Sequence, residues 1–84
     1  MVTNNSQFHC NCCGNFTLME EGHYEVCPVC FWEDDPIQSQ NETFAGGANE
    51  MSLCEARQHY KLLGAISADV LKHVRKPTPE ERVG

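Results

Sequence analysis

Two C-x2-C pairs constrain this chain more than anything else in it. Cys10 and Cys13 form the first pair and Cys27 and Cys30 the second, with 13 residues between them. Tetrahedral zinc takes four soft or borderline ligands, and a C-x2-C turn supplies two thiolates at the right bite while its backbone N–H groups remain free to bond to the sulfurs. Gly14 follows Cys13, and the residue after the second sulfur of such a turn often needs positive φ, which glycine adopts without steric cost. That favours Cys13 over its neighbour Cys12 as the ligand. Phe31 occupies the matching place after Cys30, so the two halves need not be identical.

The chain has 84 residues, which allows one small domain and little apolar burial. Six cysteines at that length read as metal ligation in a reducing compartment, with disulfides or simple core thiols as the competing reading. A structural zinc in a small cysteine-rich unit contributes roughly 10–16 kcal/mol, which matches or exceeds the whole net stability of a domain. Four cysteines also close the coordination sphere, whereas a catalytic zinc keeps one position open. One structural zinc ion on Cys10, Cys13, Cys27 and Cys30 is therefore expected, with Cys12 and Cys54 left over and His9 and His23 outside the site.

Between the pairs, Asn15–Met19 and Tyr24–Val26 alternate apolar and polar residues and read as two short strands, with Glu20-Glu21-Gly22-His23 as their turn. Further on, Ser52 and Glu55 make a capping box. Leu53, Ala56, Tyr60 and Leu63 then recur at helical spacing until Gly64 ends the run, which leaves Cys54 off the buried stripe. Ser67 starts a shorter second helix with Val70, Leu71 and Val74 inward, and Pro77 and Pro79 stop it. Ile37–Ala45 reads as loop and Gly46-Gly47-Ala48-Asn49 as a tight turn, without the Gly-Lys-Ser/Thr of a phosphate-binding loop.

The expected fold is a small metal-stabilised α+β unit, a zinc-ribbon-like β-hairpin with two cysteine knuckles followed by one or two α-helices. Residues 1–84 form a single domain with a flexible start (1–9), a ribbon-like unit (10–36), a helical part (50–76) and a loose tail (77–84).

Charge is unevenly placed. Residues 1–56 hold nine carboxylates and no Lys or Arg, while six basic residues face three acids from Arg57 onward, giving −9 and +3 and a total of −6. A basic tail folding back on an acidic body accounts for this, as does an acidic face kept for a basic partner. Trp32-Glu33-Asp34-Asp35 places one large aromatic beside three acids. It is the candidate partner-binding segment, although a structural role, with Trp32 and Phe31 capping the core and the acids solvated or paired with the basic tail, is the favoured reading of it. Nucleic acid is disfavoured because the first two-thirds of the chain cannot release phosphate counterions. No stretch approaches the length of a membrane helix, and the first ten residues lack the pattern of a signal peptide, so a cytoplasmic location is expected.

Several stretches resemble the CPCC family of small cysteine-rich bacterial proteins, whose function is not established. They are Cys10-Asn11-Cys12-Cys13-Gly14, Thr17-Leu18, Val26-Cys27-Pro28-Val29-Cys30-Phe31-Trp32-Glu33-Asp34-Asp35-Pro36, Gly46-Gly47-Ala48-Asn49, Ser52-Leu53-Cys54-Glu55-Ala56-Arg57, Tyr60, Gly64-Ala65 and Val74-Arg75-Lys76-Pro77. Asn11 stands where the family name has proline, and Cys54 falls at a position that the family's run leaves variable. The resemblance implies metal binding and adds no reaction.

Three functions compete on these residues. The leading one is a non-enzymatic zinc-binding interaction or adaptor module with a basic protein partner. A rubredoxin-like electron carrier uses the same four sulfurs for iron. A nucleic-acid-binding zinc ribbon would use the basic tail. An enzyme is the least supported class, since no nucleophile, base and oxyanion donors fall at usable spacing.

Overall fold

The computed structural model describes residues 7–82, so most of the expected flexible start, residues 1–6, lies outside the described residues. Strands β1 (Phe8–His9) and β2 (Phe16–Leu18) pair antiparallel, Phe8 opposite Leu18 and His9 opposite Phe16. The hairpin is present, but its turn is the first cysteine knuckle itself. Tyr24–Val26 is not its second strand. Val26 instead bridges Glu33 across the second knuckle. The reason is local closure: each C-x2-C turn ties its own ends together over a few residues, which commits the backbone groups that a longer 15–26 hairpin would need. Of the intervening acids, Glu25 is held locally, its carboxylate accepting from Met19 N–H at 2.8 Å and Glu20 N–H at 3.2 Å.

The segment expected as loop begins with a short helix, α1 (Pro36–Gln40). Asp35 caps it, accepting from Ile37 N–H, and proline sits in the first turn, where its missing N–H has no partner to lose. Helix α2 (Leu53–Leu63) follows the expected pattern closely. Its Ser52–Glu55 capping box is complete, and Gly64 ends it in the left-handed region at φ 85°. Leu53 and Ala56 are fully buried, but the apolar stripe fades toward the end and Leu63 is exposed.

The second expected helix is a 3-10 turn, Ala68–His73. Ser67 makes no side-chain cap to it, and no residue within it is buried. Val70 packs against the core from a half-buried position, while Leu71, expected inward, is exposed because a three-residue turn brings only one of these neighbours inward.

Expected to be loose, the tail is held as far as Glu81, and residues 83–84 lie outside the described residues. Arg75 N–H donates to the Pro28 carbonyl at 3.1 Å, and Phe16 N–H to the Glu81 carbonyl at 2.7 Å. The tail does fold back, and its basic residues pair both within it and with the acidic part. Arg75 makes two hydrogen bonds of 2.8 Å to the Glu81 carboxylate, which lowers the Glu81 pKa and raises that of Arg75. Arg57, the first of the basic residues, meets Glu42 of the acidic part at 3.0 Å. The core lies under the cysteine turns and gathers Leu18, Val29, Trp32, Leu53, Ala56 and Ile66 around the sulfurs.

Candidate metal centre

The two knuckles repeat one backbone design. In the first, Cys10 N–H donates to the Asn15 carbonyl at 2.8 Å and Gly14 N–H to the Cys10 carbonyl at 2.8 Å. In the second, Cys27 N–H donates to the Trp32 carbonyl at 2.9 Å and Phe31 N–H to the Cys27 carbonyl at 2.8 Å. The offsets from the first cysteine are the same in both. Cys12 N–H and Val29 N–H each point at the leading sulfur of their own turn, at 3.4 Å. The left-handed residue is also shared: φ is 81° at Gly14 and 76° at Phe31. Phe31 carries a steric penalty of roughly 1–2 kcal/mol there. It is held in part by stacking on His73, ring centroids 5.7 Å apart.

These turns face each other and bring the sulfurs of Cys10, Cys13, Cys27 and Cys30 within 4.8 Å of one another. Cys10 and Cys30 are 3.5 Å apart, and Cys13 and Cys27 3.8 Å. With metal–sulfur bonds of about 2.3 Å, a regular tetrahedron has sulfur–sulfur edges of about 3.8 Å. The cluster therefore fits a single tetrahedral ion. All six cysteines are free, so the competing disulfide reading is not realised. Cys10, Cys27 and Cys30 are fully buried, and Cys13 is half-buried.

Polar groups around the sulfurs suit thiolates. Besides the two knuckle N–H groups, the Thr17 hydroxyl lies 3.0 Å from Cys27 Sγ and donates to it once the sulfur is ionised. Without a cation the four sulfurs share protons unequally. Hydrogen bonding from Cys10 lowers the Cys27 and Cys13 thiols, while Cys10 is raised mainly by Cys13, and Cys30 mainly by Cys10. A divalent ion removes this frustration by stabilising all four as thiolates.

Cys12 is buried beside the site, but its sulfur is not among the four that converge. Cys54 is exposed on α2, off the buried stripe as expected. His9 and His23 are exposed and outside the cluster.

The candidate partner-binding segment needs correction. Trp32 is fully buried, and Asp34 and Asp35 are almost so; only Glu33 stays partly exposed. The two aspartates are engaged by the chain itself. Asp34 accepts from Gly22 N–H at 2.6 Å. Asp35 accepts from Ile37 N–H at 2.8 Å and Ala48 N–H at 2.9 Å, and the Ala48 bond is the chief cause of its lowered pKa. Three of the four residues thus build the structure, and they cannot form a docking face.

Sequence reasoning also missed a buried polar latch. Gln38 is fully buried; its amide donates to the carbonyls of Phe44, Asn49 and Met51, and its oxygen accepts from Asn49 N–H and Nδ2. Asn49 in turn holds both the N–H and the carbonyl of Glu33 at 2.9 Å. The signals were Pro36 after an aspartate and the Gly46–Asn49 run, each visible alone but not as partners.

The family model for cysteine-rich CPCC proteins matches residues 8–81. The chain belongs to the cysteine-rich CPCC family. No curated protein matches it. Within this family member the stretches that carried the resemblance fall on the two knuckles, the Glu33–Pro36 and Gly46–Asn49 sides of the latch, and the capped start of α2. Asn11, the departure from proline, joins these parts: its amide donates to Ser39 Oγ at 2.9 Å, and its carbonyl accepts from Arg57 Nε at 2.9 Å.

Proposed function

We propose that this chain is a non-enzymatic, cytoplasmic interaction module in which Cys10, Cys13, Cys27 and Cys30 hold one structural zinc ion, and that its partner is a basic protein. The observation that carries the reading is the closed, largely buried set of four sulfurs at tetrahedral spacing. When bound, zinc supplies cross-linking and charge neutralisation and no open position for a substrate. The described residues contain no helix long and apolar enough to cross a membrane, which is compatible with that location.

Iron is the second reading. Tetrahedral four-sulfur sets take zinc or iron, and the paired N–H···S bonds of the knuckles are of the kind that tune iron–sulfur potentials. A nucleic-acid role is weaker. Arg57 and Arg75 are already paired with Glu42 and Glu81, and binding through the remaining cations would collapse with salt.

Metal analysis tests the reading directly. Protein made in medium containing both metals should be colourless and carry one zinc per chain, and Cys27→Ser should lose it. A red, redox-active protein would replace zinc by iron. One that retains a full equivalent of zinc after Cys27→Ser would remove the four-sulfur site.

A further inference from the structure

With Trp32, Asp34 and Asp35 inside, a different surface must meet a basic partner if the interaction reading holds, and the inference here rests on that reading. We propose that a shallow groove between the Glu33–Met51 latch and the 3-10 turn receives an arginine or lysine side chain of a partner polypeptide, together with an adjacent apolar residue.

The groove has a volume of about 260 Å³. That is below the roughly 300–1,000 Å³ of small-molecule pockets and suits one or two side chains. Its floor is apolar: Phe31, Met51, Ile66 and Val70, all buried or half-buried. Three carboxylates stand around it, Glu33 half-buried and Glu50 and Asp69 exposed. No lysine or arginine lines it. Among the described residues the ion pairs are His23–Glu20, Arg57–Glu42 and Arg75–Glu81, so none of these three carboxylates has a cation partner. An apolar floor under unneutralised carboxylates matches the division of Arg and Lys side chains into an aliphatic stem and a charged head. An acidic or neutral apolar partner would leave the carboxylates facing like charge or losing water without compensation.

One wall is fixed in advance. Asn49 clamps the Glu33 backbone, Gln38 clamps Asn49, and the Glu50 carbonyl accepts from Gly46 N–H at 3.1 Å. A wall held this way has little entropy left to lose on binding. The opposite wall, Ser67–Val70, lacks a side-chain cap and buries nothing within its turn, so it can adjust to the side chain that enters.

The test uses the full-length zinc-loaded chain and three synthetic octapeptides, alternating arginine with leucine, arginine with serine, and glutamate with leucine. Backbone amide NMR at low salt should show saturable shifts with the arginine–leucine peptide, centred on Glu33, residues 48–51 and residues 66–70. The arginine–serine peptide should bind at least threefold more weakly and the glutamate–leucine peptide not at all. Glu50→Gln with Asp69→Asn should weaken binding about tenfold, whereas Glu20→Gln with Glu21→Gln, an equal change in net charge, should weaken it less than twofold. None of the four substituted carboxylates, Glu50 and Asp69 in the groove and Glu20 and Glu21 outside it, accepts a hydrogen bond within the described residues, so folding is spared. Shifts centred on residues 19–25, equal weakening by the two double variants, or equal binding of the serine and leucine peptides would overturn the groove and leave a basic-partner module standing. Absence of binding by every arginine peptide would overturn both. Zinc content measured on the same samples keeps either outcome separate from the metal site.

Discussion

Two adjacent glycines in the latch differ in what they do. Gly46 is left-handed at φ 85°, with open space where a Cβ would stand. Gly47 has ordinary φ, but an added Cβ would lie 2.6 Å from Asp35 Oδ2 and 2.9 Å from Gln38 Cδ. Those atoms belong to buried, hydrogen-bonded side chains and cannot swing aside. Gly46→Ala should therefore cost only the left-handed penalty, roughly 1–2 kcal/mol. Gly47→Ala should cost more, about 2–3 kcal/mol, by prising the Asp35 and Gln38 bonds apart. Denaturant titration of the two metal-loaded variants should rank them in that order; the reverse ranking would mean the latch gives way without loss. At this scale Phe31 was illegible in the sequence. Glycine at Cys13+1 announces a left-handed residue, whereas phenylalanine at Cys30+1 announces the opposite, and only the backbone repeat with φ 76° reveals the shared geometry.

At the scale of elements, what could be read depended on how far apart the interacting residues lie. The capping box and Gly64 are signals within one helix, and α2 formed as they implied. The cysteine spacing is likewise local to each turn, so the ligand set was legible before any fold. Strand pairing was not, because alternation in Tyr24–Val26 says that a segment can pair and not with what; Val26 found Glu33 seven residues on. The start of α1 was missed for a related reason. Asp35 looked like one of three surface acids, yet its carboxylate caps the helix and also binds Ala48 from the other side of the latch.

That double duty has a pH signature. The hydrogen bonds from Ala48, Ile37 and Gln38 hold the Asp35 pKa below its ordinary value, so the folded state favours the ionised form. The stabilisation is complete above the unfolded-state pKa, near 4, and is lost as pH falls through the lower folded value. Glu81, lowered chiefly by Arg75, has the same sign. Acid also protonates thiolates and weakens metal binding, so the informative quantity is a difference between proteins. Asp35→Asn should be less stable than wild type by about 1–2 kcal/mol at pH 7, and the gap should narrow as pH drops below 4. A gap that stays constant with pH would show that the cap acts through shape rather than charge.

For the whole molecule, the central question is what makes the halves cooperate. The fully buried large apolar side chains are few, Trp32, Leu18, Leu53 and Val29, and they surround the sulfurs instead of forming a core apart from them. The carboxy-terminal half is anchored on the knuckle backbones themselves, through Arg57 Nε to the Asn11 carbonyl, Ile66 N–H to the Cys30 carbonyl and Arg75 N–H to the Pro28 carbonyl. Each of those acceptors lies within a cysteine turn, so its position depends on the turns facing each other. Four thiols that share protons do not supply that constraint, and a bound ion worth roughly 10 kcal/mol or more does. Chelation should then remove more than the local turns: the near-ultraviolet signal of Trp32 and the helical signal of α2 should disappear together, and both should return on adding one equivalent of zinc. Cys27→Ser should behave like the chelated protein, whereas Cys54→Ser, on the exposed face of α2, should keep both signals and the ion. If α2 kept its helical signal after the tryptophan environment had melted, the helix would be held by its own caps and Leu53 contacts, and the ion would be a clasp on the knuckles alone.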